Sequence, residues 1–313
     1  MVGVLSLATQ AFAADGKPIV VNQDGSGDFR TIQTAIDSVP KNSTTRQIIS
    51  IAAGVYRERL KIGKDVTNLT LRRLGETPAI HIVYDLHAGG TNPVTGEKVG
   101  TSGSETVLVE GDGFTAENIT FDNDAGAKGP AVAVRTKGDR AIFRNCDFSG
   151  WQDRLYTNGK RLYFADCRIS GRVDFIFGKA TAVFNNCEVI SKGGGYVTAA
   201  STPATSKYGL VFLGCTLKSE NDEKSFLGWP WRPDAQVAYI GCTLGSHIRP
   251  EGWDNWRDPN KEKTARYAEY GNKGSDADTS KRVGWAKELT EAEAAEYTIP
   301  NILAGEDGWD PTK

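Results

Sequence analysis

Asp153 lies seven residues after Cys146, and Asp174 lies seven residues after Cys167. The two cysteines occupy the same place in neighbouring repeats, so the two aspartates must as well. If each repeat is one turn of a coiled sheet, the carboxylates sit on adjacent parallel strands, about 5 Å apart. Two carboxyl groups at that separation do not ionise independently, and one tends to keep a proton. An acid beside a nucleophile or base is the minimal equipment of an enzyme site.

The elements that must position this pair are legible as a repeat. It reads Asn118-Ile119-Thr120-Phe121, Asn145-Cys146-Asp147-Phe148, Asp166-Cys167-Arg168-Ile169, Asn186-Cys187-Glu188-Val189, Gly214-Cys215-Thr216-Leu217 and Gly241-Cys242-Thr243-Leu244. Asn68-Leu69-Thr70-Leu71 reads as an earlier copy, two turns upstream with an insertion between. Successive spacings are 27, 21, 20, 28 and 27 residues, a period that marks a solenoid. Alternation along Arg161–Ile169 and Ala180–Val189 predicts strands rather than helices. The Asn, Asp or Gly opening each unit suits a turn with left-handed backbone. The fold predicted is all-β, a right-handed parallel β-helix; leucine-rich repeats are disfavoured because their leucine frame is absent.

All five cysteines fall at the second repeat position and should form an inward-facing ladder. Parallel strands hold Cβ atoms too far apart for a relaxed disulfide, and the odd count argues against a disulfide framework. They read as small core residues.

At 313 residues the length alone suggests about two domains, but the continuous repeat favours one, spanning 14–313. Met1–Ala13 is apolar and ends in Ala11-Phe12-Ala13, which reads as a shortened export signal and predicts a secreted protein, extracellular or periplasmic. A net charge of −2 gives no sign of a nucleic-acid or membrane partner. Ile32, Ala35, Ile36 and Val39 follow helical spacing, predicting a short helix that caps the open end of the solenoid. Thr290 and Glu293 form a capping-box pattern before a C-terminal helix. Residues 251–282 read as loop packed along the side. A capped solenoid predicts a monomer.

Other chemistries find no support. His81, His87 and His247 sit in no HExxH or zinc spacing and read as turn or surface residues. No G-x-S-x-G elbow occurs. Gly193–Gly195 lacks the Lys-Ser/Thr of a phosphate loop and reads as a tight turn.

Five ordered segments carry a family resemblance: Gly54-Val55-Tyr56-Arg57-Glu58, Ala131-Val132-Ala133-Val134-Arg135, Gln152-Asp153 with Leu155-Tyr156, Val173-Asp174-Phe175-Ile176-Phe177-Gly178, and Leu227-Gly228 with Pro230-Trp231. From Val20 to Leu303 the chain resembles the pectin methylesterases (pectinesterases). The resemblance implies hydrolysis of galacturonate methyl esters in pectin without metal or cofactor. Asp174 would be the nucleophile, Asp153 the general acid and then base, Gln152 an oxyanion donor, and Trp231 the platform for a sugar ring. Because an ideal strand sends Gln152 and Asp153 to opposite faces, a kink or strand end is predicted there. Tyr156, Trp229 and Arg232 join the expected substrate-binding set. Trp151 could complete a groove with Trp229 and Trp231, lined by Arg135, Arg154, Arg172 and Arg232.

Two positions depart from the family pattern. Pro130 stands where a glutamine precedes Ala-Val-Ala-Val-Arg, and Trp229 replaces the arginine of Leu-Gly-Arg-Pro-Trp. That arginine would pair with the nucleophile. Arg172, two residues before Asp174 and on the same face of an ideal strand, is predicted to supply the missing charge. Arg154 should point to the other face. The competing readings are a catalytically impaired pectin-binding β-helix and, more remotely, a polygalacturonase or calcium-dependent pectate lyase.

Overall fold

The computed structural model describes residues 18–75 and 79–313. The suggested export signal at 1–13 lies outside them. The chain winds as a right-handed parallel β-helix whose strands stack into three rows. One row is an 11-stranded sheet beginning Ile19–Val21, Gln47–Ile51, Leu69–Arg73, Thr115–Glu117 and ending Arg266–Tyr270, Lys287–Glu288. A second row runs from Gly54–Tyr56 to Lys273–Gly274. The third comprises Leu60–Ile62, Val107–Val109, Val134–Thr136, Leu155–Thr157 and Ser225–Pro230. The long strands Arg168–Gly178 and Glu188–Ala200 join the second row to the third.

The corner between the first two rows explains the repeat. Asn118, Asn145, Asp166 and Asn186 all have φ between 51° and 58°, and Gly214 and Gly241 take 61° and 63°. Left-handed backbone is tolerated by Asn, Asp and Gly and resisted by branched residues, hence the restricted alphabet. The next residue turns inward: Cys146, Cys167, Cys187, Cys215 and Cys242 are 0–2% exposed and unbridged. Each Sγ lies beside a carbonyl one turn back, as Cys167 does with Phe143 O at 3.4 Å.

Behind the cysteines runs an aromatic ladder. Phe143, Phe164, Phe184, Phe212 and Tyr239 are register partners on five successive strands. Their rings stack at 4.9, 4.7, 4.6 and 4.4 Å. Offset stacking adds about 0.5–1.5 kcal/mol per pair beyond area burial, which reinforces the register that places the aspartates.

The capping helix is present at Ile32–Ser38, with Thr31 as N-cap. Glu58 accepts from Ile32 N and Gln33 N, both at 3.0 Å, so the Gly54–Glu58 segment anchors this cap. The Thr290–Glu293 capping box also forms, although its helix is only Glu291–Ala294.

Several expectations change. Asn68 is left-handed at φ 55°, but Leu69–Arg73 pairs directly with Thr115–Glu117 in the first row. It is therefore a corner of another phase, and one turn, not two, separates it from Asn118. A left-handed turn residue marks a corner without saying which. Residues 251–282 are not all loop, because Arg266–Tyr270 extends the first row against Gln236–Ile240. Its alternation is masked by Glu269, buried at 3% exposure and paired with Arg282 at 2.8 Å. Gly193–Gly195 lies inside Glu188–Ala200 rather than in a tight turn. There the strand passes so close to its neighbour that a Cβ on Gly195 would meet Arg172 O at 2.3 Å. His81 sits in the strand Ile80–Tyr84 beside Asp122. His247 is buried, and desolvation pulls its pKa down to about 4.

Candidate active site

The third row carries the site floor. Arg135, Tyr156, Phe177, Ala199 and Trp229 are successive register partners. Small Ala199 leaves a dip between two aromatic rings. Above it opens a cleft of about 260 Å³ lined by Thr101, Ser102, Gln152, Asp153, Tyr156, Asp174, Phe177, Ala199, Trp229 and Trp231.

Asp153 and Asp174 enter this cleft from adjacent turns. Gln152 bridges to Val173, Leu155 pairs with Ile176, and Asp153 N donates to Val173 O at 3.1 Å. The 21-residue offset is the one that pairs Asp147 with Arg168. Both aspartates have left-handed backbone, φ 57° and 51°, and the pairing of Arg168–Gly178 shifts register on either side of Val173. This is the kink expected at Gln152-Asp153, and it recurs one turn on. Irregular backbone of this kind gathers at functional sites. Here it lets consecutive residues face one cleft.

Both carboxyls are pushed up to about 7. For Asp153 the causes are burial and then the charge of Asp174, opposed by the Gln152 amide and Arg154. For Asp174 burial dominates and a hydrogen bond from Trp229 opposes it. That bond, Trp229 Nε1 to Asp174 Oδ1, measures 2.7 Å. An indole N–H can only donate, so it favours the carboxylate form. An ionised Asp174 in turn favours the protonated form of Asp153, against which the Gln152 amide works.

Arg154, two chain positions from Gln152, is fully buried rather than exposed on the groove. It donates to Asn123 O at 2.8 Å and Ala131 O at 2.6 Å, tying the Asp153 turn to the turn before it. The missing side chain of Gly150 makes room for it, since a Cβ there would lie 1.6 Å from Arg154 Cζ, and sequence pattern did not reveal that role.

Arg172 does not reach Asp174. Its guanidinium donates to Gly194 O and Glu223 at 3.2 Å each and lies 5.7 Å over the Trp151 ring. The left-handed turn at Asp174 breaks the strand alternation on which the expectation rested. Trp151 consequently stands with Arg172, and neither lines the cleft. Trp229 is 5% exposed and stacked on Trp256 at 4.3 Å, so it offers a ligand little free ring face. Trp231 and Tyr156 remain partly open at the cleft, with Arg232 over Trp231 at 4.6 Å and Arg135 over Tyr156 at 5.1 Å. Tyr156 and Phe177 stack at 4.3 Å. Pro130 contributes its carbonyl to Ala88 N at 2.7 Å and has no side-chain donor, leaving the Gln152 amide at the cleft.

Residues 18–306 match the Pectinesterase family. A pectinesterase/pectinesterase inhibitor of Brassica campestris is 39% identical over 300 residues, covering 91% of this chain and 52% of the relative. The chain thus spans about half that relative's length. Pectinesterase 31 of Arabidopsis thaliana is 38% identical over 291 residues, covering 91% of both chains. The solved pectin methylesterase from carrot superposes with a TM-score of 0.85 at 33% identity, covering 95% of this chain and 96% of that one. With the fold and most of the chain's length in common, this protein belongs to the pectinesterase family.

Proposed function

We propose that the protein hydrolyses methyl esters of galacturonate units in pectin, through an aspartyl acyl-enzyme. The observation that carries this reading is the in-register pair Asp153 and Asp174, with the Trp229 indole donating to Asp174, in an aromatic-walled cleft. The Asp174 carboxylate attacks the ester carbonyl carbon, and the Gln152 amide faces the oxyanion that develops. As the tetrahedral intermediate collapses, the carbon–methoxy bond breaks and Asp153 gives its proton to the departing oxygen, releasing methanol. The product is an anhydride between Asp174 and the galacturonoyl group. Ionised Asp153 then takes a proton from water as that water attacks the anhydride. The acid product leaves, Asp174 returns as carboxylate, and Asp153 is again protonated.

The aromatic faces of Tyr156 and Trp231 suit the apolar face of a sugar ring. Arg135 and Arg232 beside them suit the free carboxylates of a partly de-esterified polymer. Such a polymer lies outside the cell, which is where this reading places the protein.

The absence of an amide at Pro130 and of a guanidinium at Trp229 favours one competing reading, a pectin-binding β-helix with little catalysis. Methanol release from highly methylated pectin, with Asp174→Asn as control, separates the two. Release abolished in the variant supports the esterase. Pectin affinity without release supports the binding protein.

A further inference from the structure

Trp229 occupies the position where the pattern Leu-Gly-Arg-Pro-Trp carries a guanidinium, yet Asp174 is not left without a donor. The indole N–H meets Oδ1 at 2.7 Å. The ring that carries it is braced. Trp256 stacks on it at 4.3 Å with 18° between planes, and the Lys261 ammonium lies 5.1 Å over it. Trp256 and the next residue, Arg257, both hold left-handed backbone, φ 53° and 60°. Two such residues in a row are costly unless the surroundings hold them. Here Asp254 does so: its Oδ1 accepts from Trp256 N at 2.5 Å, and its own N–H donates to Gly228 O at 3.1 Å. The loop is therefore tied to the residue next to Trp229, and the stack is set by both.

We propose that Trp229, braced by Trp256, is the positioning residue for the nucleophile, fixing Asp174 Oδ1 with a neutral N–H where its relatives' motif supplies a cation. The inference rests on the esterase reading and specifies how this chain's version of the site works. One oxygen of Asp174 is held and the other is left to attack. The indole donates a hydrogen bond and carries no charge, so it does not replace the cation of the Leu-Gly-Arg-Pro-Trp pattern. Among the groups around Asp174, Asp153 on the adjacent turn is anionic or neutral. Arg154 lies behind Asp153, with one guanidinium nitrogen committed to two carbonyls. Lys261 sits over the indole, and Tyr196 packs edge-on to both Trp229 and Trp256. The enzyme should therefore lose activity on acidification at a higher pH than a version carrying arginine.

The test compares wild type, Trp229→Phe, Trp229→His and Trp229→Arg, each checked for an unchanged melting transition. Methanol release from methylated pectin is followed across pH, together with the titration of the ¹³C-labelled Asp174 carboxyl by NMR. Trp229→Phe keeps a ring and removes the donor; kcat should fall about 10–100-fold with KM little changed. Trp229→His restores a ring N–H and should recover part of that loss. Trp229→Arg should move the acid limb of the profile down by about one pH unit or more. Wild-type kcat in Trp229→Phe, or an unmoved acid limb in Trp229→Arg, would overturn the proposal. If wild type releases no methanol, the esterase reading fails, and the NMR titration still decides. The Asp174 carboxyl must titrate higher in Trp229→Phe and lower in Trp229→Arg, and an unmoved titration sinks the positioning role.

Discussion

Gly150 and Arg154 fit together only because residue 150 has no side chain: a Cβ there would lie 1.6 Å from Arg154 Cζ, and the backbone takes φ 155°. The chain thus folds back over a fully buried guanidinium, and the turn so formed presents Gln152 and Asp153 to the cleft. Burial pulls that guanidinium down to about 10, opposed by Asp122, Asp153 and Asp124.

Gly150→Ala should therefore act on stability and activity together. Displacing Arg154 breaks its hydrogen bonds to Asn123 O and Ala131 O, and hydrogen bonds of a charged group contribute about 1.5–3 kcal/mol. Denaturant unfolding should show a loss of that order, and methanol release should fall with it. A variant as stable as wild type would show that the turn has room to relax.

The aspartate pair should cost stability at neutral and alkaline pH. Both carboxyls titrate near 7 in the folded protein, above the ordinary value of 3.8. A raised folded value means that the folded state holds its protons more tightly than the unfolded one. The resulting stabilisation is complete below about pH 4 and is lost as pH rises through 7. Asp153→Asn, which cannot ionise, should be more stable than wild type at pH 8 by on the order of 1–3 kcal/mol. Near pH 4 the two should coincide. Equal melting at both pH values would contradict the raised titration.

Arg172→Ala should leave methanol release within about twofold of wild type, since its partners are Glu223, Gly194 and Trp151 and the ion pair is half exposed. A large fall in kcat would return Arg172 to the active site.

Trp231→Ala should act on binding. Loss of an aromatic ring facing a sugar removes roughly 1–1.5 kcal/mol, or about a tenfold rise in KM on methylated oligogalacturonides, with kcat much less affected. A fall in kcat at constant KM would mean that Trp231 acts on the transition state instead.

The residues show where local pattern suffices. The repeat and the cysteine positions specify the corners, because only Asn, Asp and Gly accept left-handed backbone cheaply and only small side chains pack behind it. From that period alone Asp153 and Asp174 had to be neighbours. The helix at Ile32–Ser38 and the Thr290–Glu293 capping box were equally local, and both formed. Asn68 misled because a turn residue reports a bend and not its place around the coil.

What the sequence by itself determined is therefore the period, the corner chemistry and the pairing of two carboxylates. Which partners those carboxylates meet was decided by the tertiary structure. Arg172 is two residues from Asp174 and turns away to Glu223; Trp229 is 55 residues along and donates to it. The reason is geometric. Alternation assigns a side chain to a face only while the strand stays regular, and the left-handed turns at Asp153 and Asp174 end that regularity where the site is built. Beyond them, contacts are set by the stacking of whole turns, which brings distant residues within hydrogen-bond reach and leaves near ones apart.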